Sequence, residues 1–163
     1  MKRSAEALRG AARDLRTLII QIAPPEIQVE GLSAAIGPLI DPFIESGVDV
    51  HVEIDDMPHL TKPDLELAFR VTQEAIRNVT RHAHANRVTV RISATSSGTV
   101  LSIEDDGDGF TPTQVEERRR QGHVGTRGIS ELAAERGGTL TIESSPGAGT
   151  RVTLTLPNRK SEE

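Results

Sequence analysis

Between Lys62 and His84, the residues Ala68, Val71, Thr72, Ala75, Ile76, Val79 and Ala83 recur at three- and four-residue steps. At about 100° per residue they share one arc, which predicts a long helix with a single buried face. Period-two runs flank it. Val48, Val50, Val52 and Ile54 alternate before it, and Val88, Val90 and Ile92 alternate after it. A Ser96-Ser97-Gly98 turn then leads to Val100, Leu101 and Ile103, the pattern of a hairpin. Leu140 and Ile142, then Val152, Leu154 and Leu156, predict a second strand pair around Pro146-Gly147-Ala148-Gly149. A shorter helix, roughly Thr126 to Arg136, ends at Gly137-Gly138. Half-buried strands alternating with one-faced helices predict a helical layer on one face of a mixed sheet.

Two helices are expected upstream. Leu8, Ala11, Ala12, Leu15, Leu18, Ile19 and Ile22 define the first, from Ser4 to about Ile22, which stops at Pro24-Pro25. As an isolated amphipathic helix before a Pro-Pro break, it is a candidate for a different module. The second runs from about Leu32 to Ser46, and Pro38 and Pro42 predict that it is kinked or broken. Gly47 is its expected stop.

Composition narrows the function. A chain of 163 residues fits one domain with a short appendage. Its net charge of −5 lacks the basic stripe of a nucleic-acid binder, and three Phe without Trp or Tyr leave no base-stacking platform. The absence of cysteine removes disulfides, thiolate metal sites and cysteine nucleophiles, and leaves the redox compartment unread. Apolar stretches such as Leu18-Ile19-Ile20 are too short to span a bilayer, and no signal-peptide pattern follows Lys2 and Arg3, so the chain is expected to be soluble.

Four polar clusters break the pattern. Glu74, Asn78 and His82 stand at i, i+4 and i+8 along the edge of the buried arc, either a satisfied structural network or a ligand wall. Glu104-Asp105-Asp106-Gly107-Asp108-Gly109-Phe110 follows a strand and sets a carboxylate beside flexible backbone; Gly107 and Gly109 are expected to permit positive φ. A calcium loop fails here, because Val115 stands where the bidentate Glu would be required. Gly122-His123-Val124-Gly125-Thr126-Arg127-Gly128-Ile129 opens a helix, where free amides attract phosphate. Gly147-Ala148-Gly149-Thr150 is a turn whose hydroxyl could meet a ligand. Each cluster alone also suits an ordinary turn or helix start. The phosphate-loop and dinucleotide patterns are both absent.

In order, Glu74-x3-Asn78-x3-His82, Asp105-x-Gly107-x-Gly109, Gly125-x2-Gly128 and Gly147-x-Gly149-Thr150 resemble the ATP-binding signature of the GHKL superfamily. That group includes histidine kinases, DNA gyrase, a heat-shock chaperone and the mismatch-repair ATPases. The match covers about Asp64 to Pro157. Gln73 to Val79 with Arg81-His82-Ala83 is similar to sensor histidine kinases of the nitrate-sensor type, whose dimerisation module is of the third HisKA type. Leu15-Arg16, Pro24-Pro25-Glu26 and Gly31-Leu32 resemble the junction between dimerisation helices and catalytic domain in that group.

The resemblance implies a two-layer α/β sandwich whose mixed sheet is mostly antiparallel, with helices on one face. It implies residues 1–30 as a dimerisation-helix remnant and linker, 31–157 as the ATP-binding catalytic domain and 158–163 as a polar tail. The implied cofactors are ATP and Mg²⁺. Asn78 would coordinate the metal, and Asp105 would accept a hydrogen bond from the adenine amino group. Gly107 and Gly109 would pass close to the nucleotide. Gly125, Thr126, Arg127 and Gly128 would offer helix-start amides to phosphate, and Thr150 would hold the adenine end. Arg81 and His82 would lie near phosphates or ribose. Glu74 is a general base in the superfamily's ATPases; in kinases of this type it takes a supporting or metal-organising role. Residues from about Thr111 to Val124 would form a lid, whose Arg118-Arg119-Arg120 run reads first as a solvated face.

One departure stands out. The family's acceptor histidine precedes Asp or Glu, whereas His51, His59, His82, His84 and His123 precede Val, Leu, Ala, Ala and Val. The resemblance therefore implies an excised catalytic domain of a sensor histidine kinase. Such a domain binds ATP·Mg²⁺, does not phosphorylate itself, and serves a histidine on a dimerisation module outside this chain. A LuxR-type response regulator would be the downstream partner. The implied location is cytoplasmic, with the whole kinase open to membrane anchorage. Two other readings remain at this level: a small GHKL serine kinase of the anti-sigma type, against which Leu15 to Leu32 argues, and a degenerate nucleotide- or partner-binding module, against which the four boxes argue.

Overall fold

The computed structural model describes residues 32–54, 60–82, 84–114, 117 and 125–158. The upstream helix, the dimerisation remnant, most of the lid with its arginine run, and residues 159–163 lie outside the described residues. So do the side chains of Arg81, His82, Thr126 and Arg127. In chain order the elements are α1 (Leu32–Glu45), β1 (Asp49–Ile54), α2 (Lys62–His82), β2 (Arg87–Thr95), β3 (Gly98–Asp105), α3 (Gly125–Glu135), β4 (Thr139–Ser144) and β5 (Thr150–Pro157).

The five strands form one sheet in the order β1-β2-β3-β5-β4. Only the β1–β2 pair is parallel, as a crossover through α2 requires; the other three pairs are antiparallel. Register aligns the inward residues into rows. Ile92, Leu101, Leu154 and Leu140 form one, and Val90, Ile103, Val152 and Ile142 form the next. Opposite charges face each other on the outer side, with Arg91 Nε 2.7 Å from Glu53 and Arg151 Nη2 3.0 Å from Glu104. Such exposed cross-strand pairs add little stability individually, but they keep that face solvated. The mixed, mostly antiparallel two-layer architecture is therefore the one expected.

The buried arc of α2 holds as read: Ala68, Val71, Thr72, Ala75, Ile76 and Val79 are all buried, and Ala83 lies outside the described residues. Leu65, Leu67 and Phe69 widen it, because α1 covers a second side of the helix. Phe69 is fully buried. Buried Thr72 satisfies its hydroxyl by donating to Ala68 O at 2.9 Å. At the helix start, Thr61 Oγ1 donates to Asp64 Oδ2 at 2.5 Å, and the Asp64 N–H returns toward Thr61 Oγ1 at 3.4 Å. Thr61 thus serves as the N-cap, with its hydroxyl held by the Asp64 carboxylate. Asp64 is 2% exposed and also accepts from Arg136 Nη1 at 3.2 Å, tying the start of α2 to the end of α3.

Of the two outcomes expected for α1, a kink or a break, the break does not occur: the helix is continuous through Pro38 and Pro42. The two prolines stand four residues apart, so their lost bonds fall along one side of the helix, with Pro42 exposed. Burial of Leu32, Ile36 and Phe43 on the other side holds the helix together. It ends as predicted at Gly47, φ 86. There the Gly47 N–H bonds Ile44 O and the Val48 N–H bonds Phe43 O, the two bonds of a Schellman cap.

Candidate functional site

Asp105 closes β3, a central strand, and its side chain is half-buried. Its Oδ1 accepts the Gly107 N–H at 2.9 Å, and the Thr150 N–H also bonds its carboxylate. Burial raises its pKa above the ordinary aspartate value, aided by the neighbouring Asp106 charge and opposed by those two amides. The result is a half-desolvated carboxylate with two fixed donors. It suits hydrogen-bond recognition of a flat polar ligand edge.

The turn after Asp105 and the β4–β5 hairpin are stitched into one surface. The Gly147 N–H donates to Asp108 O at 2.7 Å. Ser144 Oγ accepts the Phe110 N–H at 3.0 Å, donates to Gly149 O at 2.8 Å and lies 3.0 Å from Thr150 Oγ1. Glycine is required where the two segments touch. A Cβ on Gly149, φ 74, would lie 1.9 Å from Asp105 O, and one on Gly109, φ 62, would lie 2.1 Å from Ser145 O. Gly107 is a correction, because it is buried without positive φ; Gly109 alone carries the left-handed turn of that loop. Asp105, Gly107, Gly109 and Thr150 thus come together.

The α2 edge reaches this surface through the connection that leaves the helix. Asp106 Oδ1 accepts the N–H groups of Asn86 and Arg87, and His84 Nδ1 lies 2.7 Å from Asp108 Oδ2. On the edge itself, Asn78 is half-buried and makes no side-chain hydrogen bond to another described residue. Glu74, 17% exposed at its side chain, is paired with Arg77. Arg81 and His82 occupy the last turn of α2. Gly125, Thr126, Arg127 and Gly128 make the first turn of α3, which packs against α2. The leading N–H groups of a helix lack intrahelical partners, so that turn is a phosphate-sized donor set. A Cβ on Gly128 would meet nothing within 4 Å, so the space beside it is open.

A cavity of about 310 Å³ lies elsewhere, between Pro42 and Phe43 of α1 and Val79 and Thr80 of α2. None of the nucleotide-site residues expected from the sequence lines it, although His84 borders it. Ser144 is the site residue that sequence reading missed. A serine at a strand end carries no signal until its three partners are brought to it. Among the described residues, no helix is long and apolar enough to cross a membrane.

Comparison with known proteins converges on one family. Residues 63–160 match the family described as histidine kinase-, DNA gyrase B-, and HSP90-like ATPase. Sensor histidine kinase LiaS of Bacillus subtilis is 31% identical over 157 residues, covering 95% of this chain and 42% of that protein. Sensor histidine kinase NarS of Mycobacterium tuberculosis is 30% identical over 159 residues, covering 97% of this chain and 37% of that one. The chain therefore spans well under half the length of these relatives. Among solved structures, the histidine kinase domain of a blue-light activated kinase from Erythrobacter litoralis superposes with a TM-score of 0.67. It is 20% identical, and the superposition covers 85% of this chain and 68% of that one. The matched family spans the segment that carries the α2 edge, the Asp105 loop, the α3 start and the Thr150 hairpin: the chain belongs to the histidine kinase-, DNA gyrase B- and HSP90-like ATPases.

Proposed function

We propose that this chain is the ATP-binding catalytic domain of a sensor histidine kinase, with residues 31–157 as the domain. It would deliver a phosphoryl group to a histidine on a dimerisation module. The observation that carries the reading is the half-buried Asp105 carboxylate, fixed by the Gly107 and Thr150 amides on a surface that only glycines allow to close. The match to sensor kinases extends over 95% of the chain, beyond the 63–160 ATPase segment, and this favours a sensor kinase over a free-standing serine kinase.

The residues fit ATP and Mg²⁺ by their chemistry. Asp105 accepts a hydrogen bond from the adenine amino group, and Thr150, held by Ser144, lines the same end. Gly107 and Gly109 bring backbone close to the base. Asn78 offers an oxygen to a hard cation that retains most of its waters. The first turn of α3, Gly125 to Gly128, directs N–H groups to phosphate, and Arg81 and His82 add contacts there or at the ribose. Glu74, engaged by Arg77, organises the metal end rather than abstracting a proton. ATP·Mg²⁺ supplies the transferable group and most of the charge neutralisation. The chain supplies positioning and electrostatics. Partners on this reading are the kinase's own dimerisation module and a LuxR-type response regulator, at a cytoplasmic location.

Calorimetric titration with ATP, with and without Mg²⁺, tests the site. Saturable binding strengthened by Mg²⁺ is expected, and its absence at millimolar nucleotide would overturn the assignment. Transfer of γ-labelled phosphate to an added histidine-bearing dimerisation module, with none retained on this chain, tests the reaction.

A further inference from the structure

The exit of α2 is pinned to the loop after β3 by side chains for which the nucleotide contacts above do not account. His84, just beyond the helix, takes a left-handed backbone at φ 45, a conformation unfavourable for a residue with a Cβ. Its ring lies 2.7 Å from Asp108, but both side chains are largely exposed, so solvent screens the pair. Asp106 makes the stronger tie. Its single Oδ1 atom accepts the N–H groups of Asn86 and Arg87, each at 2.8 Å, and its own N–H donates to Arg87 O at 3.3 Å. Hydrogen bonds from backbone amides to a carboxylate are charge-assisted, and two of them on one oxygen fix two consecutive peptide units.

We infer that Asp106 is a positioning residue for nucleotide binding: by holding Asn86 and Arg87 it sets the spacing between the end of α2, which carries Asn78, and the loop that carries Asp105. The inference rests on the ATP·Mg²⁺ reading of the site. A nucleotide has a fixed length, so the base-reading carboxylate and the metal-holding amide must keep a fixed separation. Both lie near the 86–87 to 106 junction in the chain: Asp105 is one residue from Asp106, and Asn78 is four residues before the end of α2 and eight before Asn86. An error of an ångström at such a junction weakens a ligand that must satisfy both ends at once. Asp106 is exposed and engages the connection instead of the ligand.

The test compares wild type, Asp106→Ala and Asp106→Asn of the full chain by calorimetry with ATP in Mg²⁺ and with ATP in a chelator. Amide hydrogen exchange at Asn86 and Arg87 is followed without nucleotide. Asp106→Ala is expected to weaken ATP·Mg²⁺ about ten-fold and to erase most of the gain that Mg²⁺ confers, because only a ligand engaging both ends senses the spacing. Its Asn86 and Arg87 amides should exchange faster. Asp106→Asn keeps the accepting Oδ1 and should stay within about two-fold of wild type with slow exchange at both amides, since it retains both bonds. Asp106→Ser, too short to reach both amides, replaces Asp106→Ala should the latter not fold. Wild-type ATP·Mg²⁺ affinity in the Ala or Ser variant would overturn the inference alone, as would an Asn variant as weak as Ala. Failure of the wild type itself to bind ATP would overturn the site assignment and this inference with it.

Discussion

Asp105 and Thr150 are register partners across β3 and β5, and the Thr150 amide bonds the Asp105 carboxylate. Two residues from separate sequence boxes are thus fixed to one another by sheet geometry before any ligand arrives. The acid is held there against its own preference, since burial raises its pKa. A raised folded pKa means that the group favours folding below its unfolded value of 3.8, and that this contribution is lost as pH rises through the folded pKa. At neutral pH the charged side chain is therefore a net cost to the fold. Asp105→Asn keeps the acceptor for Gly107 and removes the charge. It should raise the apo melting temperature at neutral pH while abolishing ATP binding, measured by thermal unfolding with and without nucleotide.

The same shift sets the acid limit of binding. Adenine recognition needs an accepting carboxylate, so ATP affinity should fall as pH is lowered through the raised pKa of Asp105. The loss begins at higher pH than an ordinary aspartate would give. Titration of a fluorescent ATP analogue from neutral pH downward, with circular dichroism to verify folding, gives the midpoint. A midpoint at or below 3.8 would contradict the assignment of the base contact to Asp105.

Ser144 joins three segments through one oxygen. Ser144→Ala leaves the half-buried Phe110 N–H without this acceptor and frees the hairpin that carries Thr150. A loss of about 1 kcal/mol in denaturant unfolding is expected, typical of a lost hydrogen bond. ATP should also bind more weakly at temperatures where the variant is fully folded.

Two glycines of one hairpin should separate packing from strain. Gly147 and Gly149 both have positive φ, at 77 and 74. A Cβ at Gly147 meets nothing within 4 Å, whereas at Gly149 it would strike Asp105 O at 1.9 Å. Gly147→Ala should cost about 1 kcal/mol from backbone strain alone and leave ATP binding intact. Gly149→Ala should cost more and should disrupt ATP binding by pushing β5 away from the Asp105 loop. Equal effects at the two positions would show that close approach plays no part.

Asp64 provides the contrast away from the nucleotide. It is 2% exposed, and its carboxylate serves both Thr61 and Arg136. Asp64→Ala removes the acceptor that holds the Thr61 cap hydroxyl and strands a partly buried guanidinium, an expected loss of about 2–4 kcal/mol. Nucleotide affinity of the folded protein should stay unchanged, as calorimetry well below the melting temperature would show.

The sequence by itself determined the elements and the types of residue at the site. Period-two runs and the α2 arc follow from local geometry, so Val88, Val90, Ile92 and the Ala68-to-Val79 face could be read directly. The Asp105 and Thr150 boxes were visible for the same reason, since their glycines and acid lie within a few residues of one another. What only the tertiary structure decided is what holds those boxes together. Ser144 meets Phe110 across 34 residues, Asp106 meets Asn86 across 20, and Arg136 meets Asp64 across 72. None of these pairs has a periodic or motif signature, because a hydrogen bond between distant positions depends on strand register and helix docking. The unbroken α1 has the same cause: proline's local penalty was legible, whereas the burial of Leu32, Ile36 and Phe43 that outweighs it exists only once the core has formed.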